Sequence, residues 1–317
     1  MDIELVRLEK VYDDGRHNAF TDLCRWRGRT YLCFRSGADH YAPDGEVLVL
    51  ASDDGEKWST VCHVTGSDDH REPKLLATPD RLFLYVLARS AGDYHTRVCS
   101  TSDGAQWSAL QTCSPSRQMF CKPFALGDRF YAPAYDRGPR DQLVAWGSLL
   151  LSSSDGIAWE KVSDVRVREG TNELYLMPHG DAIVGLLRRE LAPGQTAALV
   201  RAAPPYATWE VMPTEVFVQG AALARVGHRW LVAGRCRNAG GDLVTGLLDL
   251  DLKRARLTCL LELPSGGDTG YAGLWQSGEG VLWVSYYSSH ESWDGREKTR
   301  KRCPAAVFLA RCAVKGA

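Results

Sequence analysis

The sequence predicts an all-β fold, a six-bladed β-propeller of four-stranded antiparallel blades closed by the N-terminal strand. Three observations predict it. First, a seven-residue turn recurs: Ser52-Asp53-Asp54-Gly55-Glu56-Lys57-Trp58, Thr101-Ser102-Asp103-Gly104-Ala105-Gln106-Trp107 and Ser153-Ser154-Asp155-Gly156-Ile157-Ala158-Trp159, with a worn copy ending at Trp209. The tryptophans stand at 58, 107, 159 and 209, in steps of 49, 52 and 50 residues, and a fixed period of that size marks a repeat architecture. Second, the segments between turns are short apolar or alternating runs broken by Gly, Pro, Asp and Asn, without helical periodicity. Third, the strand-like alternation Ile3-Glu4-Leu5-Val6-Arg7-Leu8 belongs to no repeat, while the last repeat ends one strand short.

The elements follow in order. Repeat one places strands at 18–26, 30–35 and 46–52, then the Asp-Gly turn and a fourth strand through 64. Repeat two places them at 71–77, 82–89, 96–101 and 107–113. In repeats three, four and five the first hairpin turns at Gly127-Asp128, His179-Gly180-Asp181 and Val226-Gly227-His228. The recurrent turn has dissolved in repeat five, into Asp249-Leu250-Asp251-Leu252-Lys253. Repeat six turns at 277–280 and reaches its third strand at 305–312. In the recurrent turn Asp bonds its own backbone, Gly tolerates positive φ, and the Trp packs on the neighbouring repeat. Pairing of 3–8 with 305–312 completes the sixth blade and removes both free edges. The whole chain, 1–317, reads as one propeller domain.

Composition narrows the function. The net charge of −1 gives no field for nucleic acid or an anionic membrane, and no apolar run approaches the ~20 residues that cross a bilayer. The N-terminus lacks a signal-peptide core, so a cytoplasmic location is expected. The ten cysteines are scattered singly, Cys24, Cys33, Cys99 and Cys259 among them within apolar strand patterns, and no C-x-x-C occurs. Reduced thiols, no metal site and no cofactor are the expectation.

Propeller geometry sorts the remaining residues onto two faces. The recurrent turns join third and fourth strands, so they lie opposite any site built where first strands start and second strands end. First-strand starts supply Asn18, Thr21, Asp22, Arg71, Glu72, Lys74, Lys122, Asn172, Glu173, Gln219, Asp268 and Tyr271. The stretch Arg71-Glu72-Pro73-Lys74 is crowded with charge for a strand start. Second-strand ends supply Arg35, Arg89, Arg137, Arg188 with Arg189, and Arg235 with Arg237. Blade six breaks that series with Tyr287 and His290. Arginines phased with the repeat point to an anion-binding crater, because the guanidinium fork matches a carboxylate with two parallel hydrogen bonds.

The pattern S/T-x-D-G-x-x-W resembles the Asp box of the sialidase-like β-propellers, and the resemblance covers nearly the whole chain. Thr171-Asn172-Glu173 through His179-Gly180-Asp181 to Arg188 is similar to the sialidase segment in which a glutamate leads into a D-G turn and then a triad arginine. Gly270-Tyr271-Ala272-Gly273-Leu274 resembles the segment bearing the nucleophilic tyrosine, and Arg235 matches the place of the last triad arginine. Where the family carries Arg-Ile-Pro, this chain has Asn18-Ala19-Phe20-Thr21-Asp22-Leu23, which leaves Arg35 as the substitute. The overall pattern resembles uncharacterised bacterial sialidase-like proteins more than proven neuraminidases.

The resemblance implies a glycoside hydrolase for an acidic sugar. Tyr271 is then the nucleophile, Glu173 its base, and Arg35, Arg188 and Arg235 the grip on the carboxylate, with Arg71, Lys122, Asp268, Tyr287 and His290 as further substrate contacts. The first loop between second and third strands offers Asp39, His40 and Asp44 for the acid. A tyrosine nucleophile is the sialidase exception among glycosidases, and it is useful where the anomeric carbon bears a carboxylate, since a neutral phenol approaches without repulsion. Its proton, held near pKa 10, must pass to a neighbouring base. Two other functions fit the same face: a polysaccharide lyase, with Tyr or His taking a proton beside a uronate carboxylate, and a glycan- or protein-binding propeller without turnover.

Overall fold

The computed structural model describes residues 2–315 apart from 91–92, 115–116, 139–141, 166, 168–169 and 279. It is a six-bladed β-propeller of antiparallel sheets. After β1 (Asp2–Tyr12), blade one holds β2 (His17–Trp26), β3 (Arg29–Gly37), β4 (Glu46–Ser52) and β5 (Ser59–Val64). Blade two holds β6 (Asp69–Ala77), β7 (Leu82–Ser90), β8 (Asp93–Thr101) and β9 (Gln111–Thr112). Blade three holds β10 (Gln118–Phe120), β11 (Phe124–Leu126), β12 (Arg129–Asp136), β13 (Gly147–Ser153) and β14 (Glu160–Val165). Blade four holds β15 (Thr171–His179), β16 (Ala182–Arg189), β17 (Thr196–Ala202) and β18 (Glu210–Phe217). Blade five holds β19 (Gln219–Val226), β20 (Arg229–Arg237), β21 (Leu243–Asp251) and β22 (Arg256–Leu263). Blade six holds β23 (Thr269–Gln276), β24 (Val281–Ser288) and β25 (Ala306–Lys315), and β1 is its outer strand.

The expected closure is present. β1 pairs antiparallel with β25, Ile3 opposite Val314 and Leu8 opposite Ala310. The chain then crosses to blade one, where Asn18 N donates to Ala305 O at 3.0 Å and Ala305 N donates to Arg16 O at 3.1 Å. Each pair of adjacent blades shares one apolar cluster. Between blades six and one it contains Leu23, Leu32, Phe34, Val307 and Leu309; between blades one and two, Trp26, Tyr31, Val49, Leu84 and Cys99. A fully buried leucine contributes about 1.5–3 kcal/mol, whereas an exposed ion pair such as Arg7–Glu56 is screened by water and contributes little. The clusters therefore hold the blades together.

The three recurrent turns share one hydrogen-bond set. Asp54, Asp103 and Asp155 each accept two backbone N–H groups, two and three residues ahead, at 2.8 Å, and bond the hydroxyl two residues behind. The glycines have φ of 74°, 79° and 76°, and each abuts an aromatic of the preceding blade: Trp283, Tyr31 and Tyr85 with Phe83. A Cβ would collide there, so glycine is required twice over. The dissolved turn of blade five keeps the aspartate's part, since Asp251 accepts from Lys253 N and Arg254 N. Trp159 packs edge-on against Tyr85 of blade two, as its position predicts.

Three details differ from the sequence expectation. The outer strand of blade two shrinks from 107–113 to Gln111–Thr112, because the Ser108 hydroxyl takes the Ser100 N–H and replaces a ladder bond. The inner strand of blade three splits into β10 and β11 at Cys121-Lys122-Pro123, where proline has no N–H to donate. Cys259 is exposed, although it stands in an apolar strand pattern. Glu279, in the expected turn at 277–280, lies outside the described residues.

Two predictions follow from this architecture. Deleting residues 2–10 strips β25 of its partner, and the ring is expected to melt cooperatively at a lower temperature in calorimetry; a parental melting point would contradict the closure. Asp103→Ala should lower the melting temperature without changing turnover per folded molecule, because the turn lies at the far end of β7 from the crater. Register measures that span: Leu82 pairs with Thr101 beside the turn, and Leu87 pairs with Arg71 beside the bulge, about 17 Å away. Loss of turnover in a fully stable variant would reverse the faces.

Candidate functional site

One backbone device builds the site. In five blades two residues of the inner strand fall out of register with the second strand: Phe20–Thr21, Glu72–Pro73, Asn172–Glu173, Gly220–Ala221 and Tyr271–Ala272. Such a bulge re-aims side chains, here toward the ring axis. At four of them the first residue is left-handed, with φ of 60° at Phe20, 48° at Glu72, 55° at Gly220 and 46° at Tyr271. Glycine adopts this freely, but Phe, Glu and Tyr each incur roughly 1–3 kcal/mol. Phe20 and Tyr271 then meet edge to face, with centroids 4.8 Å apart.

The innermost cluster joins blades four and six. The Tyr271 hydroxyl donates to Glu173 Oε1, and the Tyr175 hydroxyl donates to Glu173 Oε2. Arg188 Nη1 donates to Glu173 Oε2 at 3.0 Å and to the Tyr271 oxygen at 3.5 Å, while Nη2 holds Glu190 at 2.5 Å. Arg188 Nε is buried without a hydrogen-bond partner. Burial opposes charge on Glu173, but Arg188 and the two tyrosine hydroxyls outweigh it and hold the carboxyl below its ordinary value. Burial, reinforced by the charges of Glu173 and Glu72, pushes the Tyr271 phenol well above its own. The pair is thus a neutral phenol bonded to an ionised carboxylate, the protonation needed for a base-assisted nucleophile.

A second cluster crosses the seam between blades six and one. Asp268 Oδ2 accepts from His40 Nδ1 at 2.6 Å and His17 Nε2 at 3.1 Å, and Oδ1 accepts from Arg235 Nη2 at 3.0 Å. Arg235 also donates to Thr269 O, Gln219 Oε1 and the Tyr287 oxygen. Burial brings His40 down to about 4, although Asp268 works the other way. Burial likewise opposes the Asp268 carboxylate, yet His40, His17 and Arg235 hold it well below its ordinary range. Among the described residues His17, His40 and Asp268 are the group whose ligand atoms converge, within 4.8 Å. Arg235 balances the carboxylate, while His17 Nδ1 is buried without a hydrogen-bond partner.

The expected site residues divide between these clusters and the scaffold around them. Tyr271, Glu173 and Arg188 come together directly, and Asp268, His40, Arg235 and Tyr287 form the network beside them. Arg71 lies over the Phe20 ring at 4.9 Å and donates to Asp69 Oδ2 at 3.1 Å, so it borders the crater. Arg35 has no exposed surface; its donors end on Asp69 Oδ1, Asp39 O and Ala42 O, which clamps the loop it belongs to. Asp39 caps Tyr41 N and Ala42 N, and Asp44 holds Ala38 N and Arg16, so both carboxylates serve their own loop. Lys122 crosses the axis to Asp22 at 2.6 Å, in a separate cavity of about 230 Å³ lined also by Lys74, Tyr175 and Ala272. His290 bonds Ser288 and packs on Phe308, on the rim. Arg89 and Arg137 sit over the Tyr94 ring, and Arg189 bonds Thr196.

The sequence reading missed Tyr175 and His17. Tyr175 carried no signal beyond its spacing of two from Glu173, which puts both on one strand face. His17 lay one residue before the expected strand.

No protein-family model and no curated protein matches this chain. Solved structures do. Trypanosoma rangeli sialidase in complex with 2,3-difluorosialic acid, a covalent intermediate, aligns with a TM-score of 0.71 and 11% identity over 93% of this chain and 54% of that one. Phage phi92 endosialidase aligns with a TM-score of 0.74 and 11% identity over 98% and 69%. The parainfluenza virus 5 hemagglutinin-neuraminidase ectodomain aligns at 0.63 and 9% over 99% and 87%. The chain spans about half the length of the trypanosomal sialidase structures it matches. At this identity the likeness establishes the fold.

The His40 environment gives a pH prediction. Its folded value lies below its unfolded one, so the neutral ring stabilises the fold above pH 6.5 and that contribution is lost as pH falls through about 4. A ¹H–¹⁵N titration of the imidazole should place its midpoint near 4. A midpoint at the ordinary histidine value would mean that His40 is not buried against Asp268.

Proposed function

We propose that this chain is a glycoside hydrolase for an acidic, carboxylate-bearing sugar, acting in the exo manner of sialidases, with Tyr271 as nucleophile and Glu173 as its base. The observation that carries the proposal is the hydrogen bond from the Tyr271 hydroxyl to the buried Glu173 carboxylate, with Arg188 against both. The likeness in fold to sialidases supports it independently. As the phenolic oxygen bonds to the anomeric carbon, the bond from that carbon to the glycosidic oxygen breaks, and the aglycone leaves as an alcohol on taking up a proton. The phenol proton passes to Glu173 Oε1, and Arg188 stays beside the oxygen that has lost it. Tyr175 holds the other carboxylate oxygen and keeps the base in place.

The substrate carboxylate falls to Arg188 and Arg71. Arg188 lies against Glu173 and the Tyr271 oxygen, and Arg71 borders the same space. Arg235 and Arg35 act one layer out, by holding Asp268 and Asp69. This arrangement meets the missing Arg-Ile-Pro arginine with a residue of blade two.

One observation favours a second reading. His40 is a neutral imidazole oriented by Asp268, which is also what a uronate lyase needs to take a proton. Mass spectrometry of products from a panel of acidic glycosides separates the two, since a lyase leaves an unsaturated sugar that absorbs in the ultraviolet. Binding without any product would leave the propeller a recognition module.

Tyr271→Phe removes the nucleophilic oxygen and leaves the arginines in place. Turnover should fall by orders of magnitude, with ligand binding measured by calorimetry largely kept. A fully active variant sinks the mechanism.

A further inference from the structure

Glu72 holds on blade two the place that Tyr271 holds on blade six. Each is the first residue of its inner-strand bulge, each has left-handed φ, 48° and 46°, and Phe20 occupies the same place on blade one between them. A glutamate forced left-handed and followed by Pro73 is an unfavourable way to run a strand, and strain of this kind gathers at functional positions. What the strain achieves is the delivery of a carboxyl group to the crater. That side chain is 13% exposed, so solvent and ligand reach it.

The groups facing Glu72 come from five strands. Arg71 and Lys74 lie on its own strand β6, Arg71 Nε at 3.8 Å; Tyr135 faces it from β12, Glu173 from β15, Arg188 from β16 and Tyr271 from β23. Among the described residues none donates a hydrogen bond to its carboxyl. Glu173, by contrast, accepts from Tyr175, Tyr271 and Arg188. The two carboxyls around one phenol are therefore in opposite situations. Burial, with the charge of Glu173, raises Glu72 above its ordinary value against the pull of Arg71, whereas Glu173 is held below its own. Two carboxyls driven apart in this way divide the work of acid and base between them.

The other groups offered for the acid are committed elsewhere. Asp39 and Asp44 accept backbone N–H groups of their loop, and neutral His40 directs its N–H at Asp268. We infer that Glu72 is the general acid of this site, a catalytic residue that protonates the leaving oxygen of the substrate. The inference rests on the hydrolase reading above. In the first step the bond from the anomeric carbon to the leaving oxygen breaks, the Tyr271 oxygen bonds to that carbon, Glu173 takes the phenol proton and Glu72 gives its proton to the departing alcohol. In the second, Glu72 as carboxylate takes a proton from water, whose oxygen bonds to the anomeric carbon. The carbon–Tyr271 bond breaks, and Glu173 returns the proton to the phenol.

The test compares wild type and Glu72→Gln on two glycosides of sialic acid. The nitrophenyl glycoside has a leaving group that departs without a proton, and the methyl glycoside has one that needs it. For Glu72→Gln, kcat/KM should fall by about 100-fold or more on the methyl glycoside and by less than about 10-fold on the nitrophenyl glycoside, and the high-pH limb of the wild-type profile should vanish. Equal losses on both substrates, or none, would overturn the inference. An infrared difference titration, wild type minus Glu72→Gln, follows the proton without turnover against a free glutamate, whose pKa is about 4.3. A protonated-carboxyl band that persists to higher pH than in the free residue is expected, and a band lost at or below that pH overturns the inference. A wild type that cleaves neither glycoside yet shows the band defeats the hydrolase reading and leaves Glu72 as the proton donor of the crater.

Discussion

Everything at the crater depends on pairing between β1 and β25. Six twisted sheets arranged about an axis close here inside blade six, where β1 pairs with β25, and from β1 the chain crosses the seam between blades six and one. That seam runs through the site. Asp268 of blade six is bonded by His17 and His40 of blade one, and Thr21 of blade one donates to the Tyr271 carbonyl at 2.8 Å. Phe20 and Tyr271 pack across the same line. The N-terminal strand supplies none of these residues, yet without it blade six would have a free edge and Tyr271 no defined height.

The second constraint is the bulge that recurs on the inner strands. A regular strand turns alternate side chains to its two faces, and those faces are taken up by the clusters between blades. The bulge frees two residues per blade from that alternation, so chemistry can vary at the axis while the blades keep their packing. Strained backbone at Phe20, Glu72 and Tyr271 opposes folding by roughly 3–9 kcal/mol in sum, the worth of about two or three buried leucines, and each interface buries more than that.

Charge is distributed in layers. Arg35 with Asp69, and Arg235 with Asp268, are buried pairs saturated by further protein groups, and such pairs do little for net stability because desolvation offsets their attraction. What they secure is geometry, since removing either partner would leave the other buried and unpaired. Inside that layer stand the groups of the crater itself: Arg188, the Glu72 carboxyl and the Tyr271 phenol bonded to Glu173. The proposed chemistry is confined to these.

Much of the fold was open to reading in the chain itself. A Trp recurring about every fifty residues, and an orphan alternation at 3–8, determined six blades and their closure, because a four-stranded blade needs a set length of chain and a ring cannot end one strand short. The pairing of Glu173 with Tyr271 was also readable, from their similar distances ahead of their first hairpin turns. The fate of the arginines was not. Arg35, Arg188 and Arg235 look alike at second-strand ends, yet a guanidinium on a long flexible stem bonds whichever acceptor the neighbouring blade presents. Asp69, Glu173 and Asp268 come from segments remote in sequence. Nor could alternation predict Glu72, since a bulge shifts the facing of a residue by one place. Sequence determined which residues reach the crater; the ring decided which of them are left free to act, because their partners arrive from other blades.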